Sequence, residues 1–205
     1  MNFFSKMHLL QNRFVTVLLL VIGVFAAPAY AVGPAFDCDK AEGEVELLIC
    51  SDDDLAVLDL RLAKTYSQAS QNIPAAERDN FRALQRGWIK GRNDCWKAED
   101  VHRCVEFSYR SKIVELQIAG GLLEAPRYRA LQCGEDASML PFTLSIYRNS
   151  DPASAVLTRG NDQVTAIAPP GGPAGHFRAP NVSLALTGEQ AVVDWFGETL
   201  ECTLQ

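Results

Sequence analysis

The sequence predicts two folded parts in succession: an all-α antiparallel helical bundle with disulfides, then a small antiparallel β-barrel or sandwich. Three observations carry that expectation. The hydrophobic period changes from about 3.6 residues to 2 beyond Gly120-Gly121, Gly and Pro residues punctuate the change, and the six cysteines divide four and two across it.

The chain opens with Lys6 and Arg13, an apolar run from Phe14 to Ala27, and small residues at Ala29-Tyr30-Ala31, the order of a secretory signal peptide. We expect residues 1–31 to be a leader cleaved near Ala31. The apolar run is shorter than the roughly 20 residues a membrane-spanning helix needs, and no cysteine follows it closely enough to take a lipid. A periplasmic or secreted protein without a stable membrane anchor is the expectation. In such a compartment an even set of cysteines reads as disulfides. The chain has no CxxC pair, and only His102 and His176 among histidines follow the leader, so neither a metal site nor any other cofactor is expected.

Removing Lys6 and Arg13 with the leader takes the net charge from −6 to −8. That balance excludes nucleic acid and anionic lipid as partners and favours encounter with a basic protein. No lysine follows Lys112.

Within the first part, expected at 35–120, Leu55, Leu58, Leu62, Tyr66 and Ala69 recur at three- and four-residue steps on one face of a long helix, preceded by a short helical turn around Glu44 to Ile49. Ser51 with Asp54 resembles a capping box at the start of the long helix. A second helix is expected after Pro74 with Phe81, Leu84, Trp88 and Cys95 on its buried stripe, and a third after Asp100 with Val101, Val105, Tyr109, Ile113 and Leu116. Antiparallel neighbours bring Cys50, Cys95 and Cys104 to one end. Pairing Cys38 with Cys50 and Cys95 with Cys104 is the local solution, and the crossed pairings also satisfy this geometry. Arg92 lies one turn after Trp88 and Asp59 lies on the facing helix, which makes a structural ion pair the expectation.

Residues 121–128 read as a linker, and 129–205 as the β part. Phe142, Leu144 and Ile146 alternate with Thr143, Ser145 and Tyr147 before a turn at Asn149-Ser150-Asp151-Pro152. Further strands are expected at 155–158, 163–167, 182–186 and 190–195. A bridge between Cys133 and Cys202 would tie the two ends of this sheet together.

No motif of an enzyme is present: GxSxG, HExxH, the Walker loop and GxGxxG are all missing. The acidic groups Asp52-Asp53-Asp54 and Glu99-Asp100 stand at helix starts, where capping explains them better than glycoside hydrolysis does. We therefore expect a protein that binds rather than catalyses.

The run Phe36-Asp37-Cys38, Glu46, Ile49-Cys50, Leu55, Leu58-Asp59, Leu62, Tyr66, Gln85-Arg86-Gly87-Trp88, Arg92, Cys95, Cys104, Tyr109 and Ile113 resembles the LprI-like lysozyme-inhibitor domain over residues 36–119. The second part is similar to the MliC family of c-type lysozyme inhibitors. That likeness rests on Cys133 and Cys202, Arg159-Gly160, the glycine-rich stretch leading to Phe177, and the hairpin with Gly188 and Ala191. The resemblance implies a lysozyme as partner, bound by a barrel loop, with contact residues Gly175, His176, Phe177, Thr187, Gly188 and Glu189. The family's Ser-Gly-x-x-Tyr loop is represented here by Gly172-Pro173-Ala174-Gly175-His176-Phe177, without the serine and with Phe for Tyr, and Thr187 stands where the family carries lysine. The other function compatible with these folds is a non-inhibitory envelope module that binds another protein or peptidoglycan fragments.

Overall fold

A computed structural model gives the fold of residues 32–134 and 142–205, so the leader expected at 1–31 lies outside the described residues. Four helices come first: α1 (Gly43–Ser51), α2 (Asp53–Asn72), α3 (Arg78–Asn93) and α4 (Val101–Ala119). Eight strands follow: β1 (Arg129–Cys133), β2 (Phe142–Tyr147), β3 (Ser154–Arg159), β4 (Asp162–Ile167), β5 (His176–Ala179), β6 (Val182–Thr187), β7 (Gln190–Trp195) and β8 (Glu198–Leu204).

The α2 stripe is the one the spacing predicts: Leu55, Leu58, Leu62 and Ala69 are buried and Tyr66 is half-buried, facing Val105, Tyr109, Ile113 and Leu116 of α4 in one apolar cluster. The cap of α2 differs from expectation. Asp52 Oδ1 accepts from Leu55 N at 2.9 Å, while Ser51 ends α1 and its hydroxyl donates to Leu48 O. The residue adjoining the helix takes the capping role because its carboxylate reaches the third helical N–H. Asp100 caps α4 in the same way through Arg103 N at 2.9 Å.

Helix α3 begins after a 3-10 turn at Ala75–Glu77 and departs from its expected stripe. Leu84 is exposed, and the inward row is Phe81, Gln85, Trp88 and Arg92, of which Arg92 alone is fully buried. Cys95 belongs to the following turn, Asp94–Lys97. The bridges are Cys38–Cys50 and Cys95–Cys104, the local solution, with Cys133–Cys202 in the sheet.

The sheet is a closed barrel in which each strand pairs antiparallel with the next and β8 returns to β1. Closure removes both open edges, the standing hazard of a sheet this small. Cys133 stands opposite Cys202 in the closing pair, so the disulfide fastens the seam itself. Leu131, Phe142, Leu144, Ala155, Leu157, Ala166, Phe177, Leu184, Val193 and Leu204 fill the interior in alternate positions. Strand β3 is buried on both faces from Ser154 to Leu157, and Ile167 on β4 is fully buried outside that interior cluster, because α4 packs across β4. Arg61 of α2 adds a forked contact to the β2–β3 connection, donating to Asp151 Oδ2 at 2.9 Å and to Asp151 O at 2.8 Å.

Candidate functional site

The contact residues expected from sequence lie in two stretches that the barrel brings to one rim. The connection from β4 to β5 closes with Gly175, whose carbonyl accepts from Leu186 N of β6 at 2.9 Å. A Cβ at Gly175 would stand 2.4 Å from Leu186 O, and its φ of +80° lies in the left-handed region, so glycine is required there twice over. Gly188, at φ +61°, turns β6 into β7 with open space around it, and Leu204 N donates to Glu189 O at 2.7 Å. The rim is thus fixed to β6 and β8 by backbone hydrogen bonds while Thr187, Gly188 and Glu189 remain exposed.

His176 and Phe177 open strand β5 instead of lying in a loop, and the strand's alternation separates them. His176 is half-buried opposite Ala185, beside a cleft of 310 Å³ that Pro173 and Ser183 also line. Phe177 points into the barrel opposite Leu184, 6% exposed. Gly175, His176, Thr187, Gly188 and Glu189 therefore share one rim, and Phe177 supports it from within.

A second cluster sits inside the helical bundle. Arg92 donates to the Tyr109 hydroxyl at 2.7 Å, that hydroxyl donates to Asp59 Oδ1 at 2.8 Å, and Asp59 Oδ2 accepts from Ala35 N at 2.7 Å. Arg92 also lies 3.8 Å from Asp59 Oδ1 and 3.6 Å from Glu46 Oε1, with its guanidinium over the Trp88 and Tyr109 rings. Burial pushes the Tyr109 phenol well above its ordinary range. The Glu46 carboxyl is held below the usual range chiefly by the Glu42 N–H it accepts from, against the opposing effect of burial, with help from Asn93 and Arg92. The expected Asp59 and Arg92 pair exists, with Tyr109 as the link that sequence reading counted only as apolar. Asp59 and Arg92 are 6% and 4% exposed, so their ion pair lies within the bundle, linking α2 to α3.

Of the acidic groups at helix starts, Asp52 and Asp100 act as caps, Asp52 also meeting His102 Nε2 at 3.1 Å, whereas Asp53 accepts from Val32 N at 3.1 Å. Among the described residues no group of three or more His, Cys, Asp or Glu is placed to hold a metal, and no helix is long and apolar enough to cross a membrane.

Residues 38–135 match the protein-family model described as Lysozyme inhibitor LprI, a span that takes in all four helices and β1. The chain is also similar to Lipoprotein LprI of Mycobacterium bovis, 29% identical over 194 residues that cover 92% of this chain and 96% of the relative. It is equally similar to Lipoprotein LprI of Mycobacterium tuberculosis, over the same shares of each chain. The likeness to these relatives thus runs on through the barrel. No solved structure matches the chain.

Proposed function

We propose that this chain is a lysozyme inhibitor of the cell envelope or extracellular space, acting by binding alone, and that the barrel rim formed by Gly175, His176, Thr187, Gly188 and Glu189 meets the enzyme, in the manner the MliC resemblance implies. The observation that carries the placement is the hydrogen bond from Leu186 N to Gly175 O, which joins two stretches separated in sequence into one projecting, preformed edge. A preformed edge lowers the ordering cost of insertion into a cleft. The family match supplies the class of partner. An acidic chain complements a basic enzyme, and Glu189 puts one of its carboxylates at the tip. The curated relatives are called lipoproteins, whereas the first cysteine after the leader here, Cys38, is bonded to Cys50, which supports release over lipid anchoring.

The test is a cell-wall lysis assay with c-type, g-type and i-type lysozymes. Glu189→Lys is expected to raise the concentration giving half-inhibition by roughly tenfold, the effect of about 1.4 kcal/mol. Gly175→Val, which must displace the rim from Leu186, is expected to weaken inhibition at least as much. Phe177→Ala is unsuited to this purpose because it hollows the barrel interior. Inhibition untouched by both rim changes would move the contact to the helices, and no inhibition of any lysozyme would leave an envelope binding module in its place.

A further inference from the structure

At the barrel end away from that rim, the β5–β6 turn at Pro180-Asn181 and the β7–β8 turn at Phe196-Gly197 face the first half of α4 across a cleft of 1140 Å³. Both walls belong to one compact unit, Ala31–Gln205. The barrel wall is preformed. Phe196 N donates to Asn181 O at 2.8 Å, and Gly197 N donates to Asp194 Oδ1 at 3.0 Å.

Two features of the lining point to a ligand. The first is charge. The carboxylates around the cleft are engaged: Glu106 by Arg110 at 2.8 Å, Asp194 by Gly197, and Asp100 by the Arg103 backbone. Among the described residues the guanidinium groups of Arg103 and Arg178 make no hydrogen bond or ion pair, and both residues are exposed where they line the cleft. A pair of unengaged guanidinium groups is a recognition element for carboxylate or phosphate. The second is an aromatic surface. Phe196 is 59% exposed and held at φ +53°, a left-handed conformation that costs a bulky residue on the order of 1 kcal/mol and that Asn adopts more readily. Its ring stands edge-on to Trp195 at 5.3 Å, and Phe107 of α4 contributes a half-buried ring across the cleft. Strain retained for an exposed ring beside free cations is the pattern of a site that takes an anionic ligand with an apolar face.

We propose that this cleft is a second binding site, separate from the rim, for a carboxylate-bearing saccharide of the cell-wall type. The sugar ring lies against Phe196 and Phe107, and its carboxylate meets Arg103 and Arg178. The envelope setting of the lysozyme reading guides the choice of probe, while the site itself rests on the cleft. N-acetylmuramic acid, which carries a sugar ring and one lactyl carboxylate, would be titrated into the full-length protein and followed by backbone amide chemical shifts and calorimetry at low salt. Saturable shifts are expected at Asn181 and Gly197, with at least tenfold weaker binding by the Arg103→Gln/Arg178→Gln variant and by two control ligands, neutral chitotriose and inorganic phosphate. Phe196→Asn suits the left-handed turn better, so its melting temperature should hold or rise while affinity falls several-fold. Inhibition of lysozyme by these variants should stay at the parent level. Absence of saturation below roughly 5 mM, where affinity is already weaker than about 3 kcal/mol, overturns the site. So does equal binding of either control ligand, or affinity indifferent to the arginine pair. Loss of lysozyme inhibition in the cleft variants would overturn the separation of the two sites and leave the inhibitory reading standing.

Discussion

The helical bundle and the barrel hold themselves together by different means. Inside the bundle a charged pair, Asp59 and Arg92, is buried with Tyr109, and α3 contributes to the fully buried set only through Arg92. The barrel interior is apolar throughout its described length, and its buried polar residues, Ser150 and Ser154, bond to each other beside the β2–β3 connection. The bundle's bridges close short loops, with separations of 12 and 9 residues, whereas the barrel's bridge spans 69 and lies on the seam. A third helix with a thin apolar stripe needs a polar anchor to fix its register. A closed sheet needs only its ends joined. The two regions therefore fail through different residues.

The largest effect is expected from Arg92→Ala. It leaves Asp59 and Glu46 without their cation and removes the donor to Tyr109, so a loss of roughly 3–5 kcal/mol is expected, as for other broken buried pairs. Urea unfolding followed by fluorescence would register it through Trp88, whose ring meets both Arg92 and Tyr109. A cost below 1 kcal/mol would show that α3 is held by its apolar row after all.

Next come the bridges. Loop-closure entropy gives about 4 kcal/mol for Cys133–Cys202 and about 3 kcal/mol for either bundle bridge, so Cys133→Ala/Cys202→Ala should lower the unfolding midpoint more than Cys38→Ala/Cys50→Ala does. The reverse order would mean that strand pairing from β8 to β1 closes the barrel without its staple.

The same contrast governs what the sequence makes legible. Long helices announce themselves, and the stripes from Leu55 to Ala69 and from Val105 to Leu116 lie where their spacing places them. Leu84 reads as core by the same logic yet is exposed, since Gln85 and Arg92 take the inward row that apolar counting assigns elsewhere. In the barrel, β6 and β7 follow their alternation, and β2 does so up to Ile146, beyond which Tyr147 is buried outside the interior cluster although its position falls in the outward set. Strand β5 has four residues between Gly175 and Pro180, too few to show a period, so Phe177 reads as a loop tip although it packs in the interior. Strands β1 and β8 owe their pairing to closure across the whole sheet. The meeting of Gly175 with Leu186, and of α4 with the turns at Asn181 and Phe196, depends on contacts between distant segments that no local window contains.

The smallest effect concerns pH and lies at the edge of the bundle's polar network. The folded Glu46 carboxyl titrates below its ordinary range, first because it accepts from the Glu42 N–H at 2.9 Å and then because Asn93 and Arg92 favour its charge, while burial opposes them. A depressed folded value means that the stability Glu46 supplies is fully present above the unfolded carboxylate value of about 4.3 and is lost as pH falls through the folded one. Glu46→Gln removes the charge, and its amide offers a single oxygen where two donors, Glu42 N and Asn93 Nδ2, now find one each. The variant should therefore be less stable than the parent at pH 7, and the gap should narrow as the pH is lowered toward 3. Urea unfolding at pH 7, 5 and 3 reads that gap directly. A gap of constant size would show that the carboxylate contributes through shape and hydrogen bonding alone, and that the bundle's polar anchor is confined to Arg92, Tyr109 and Asp59.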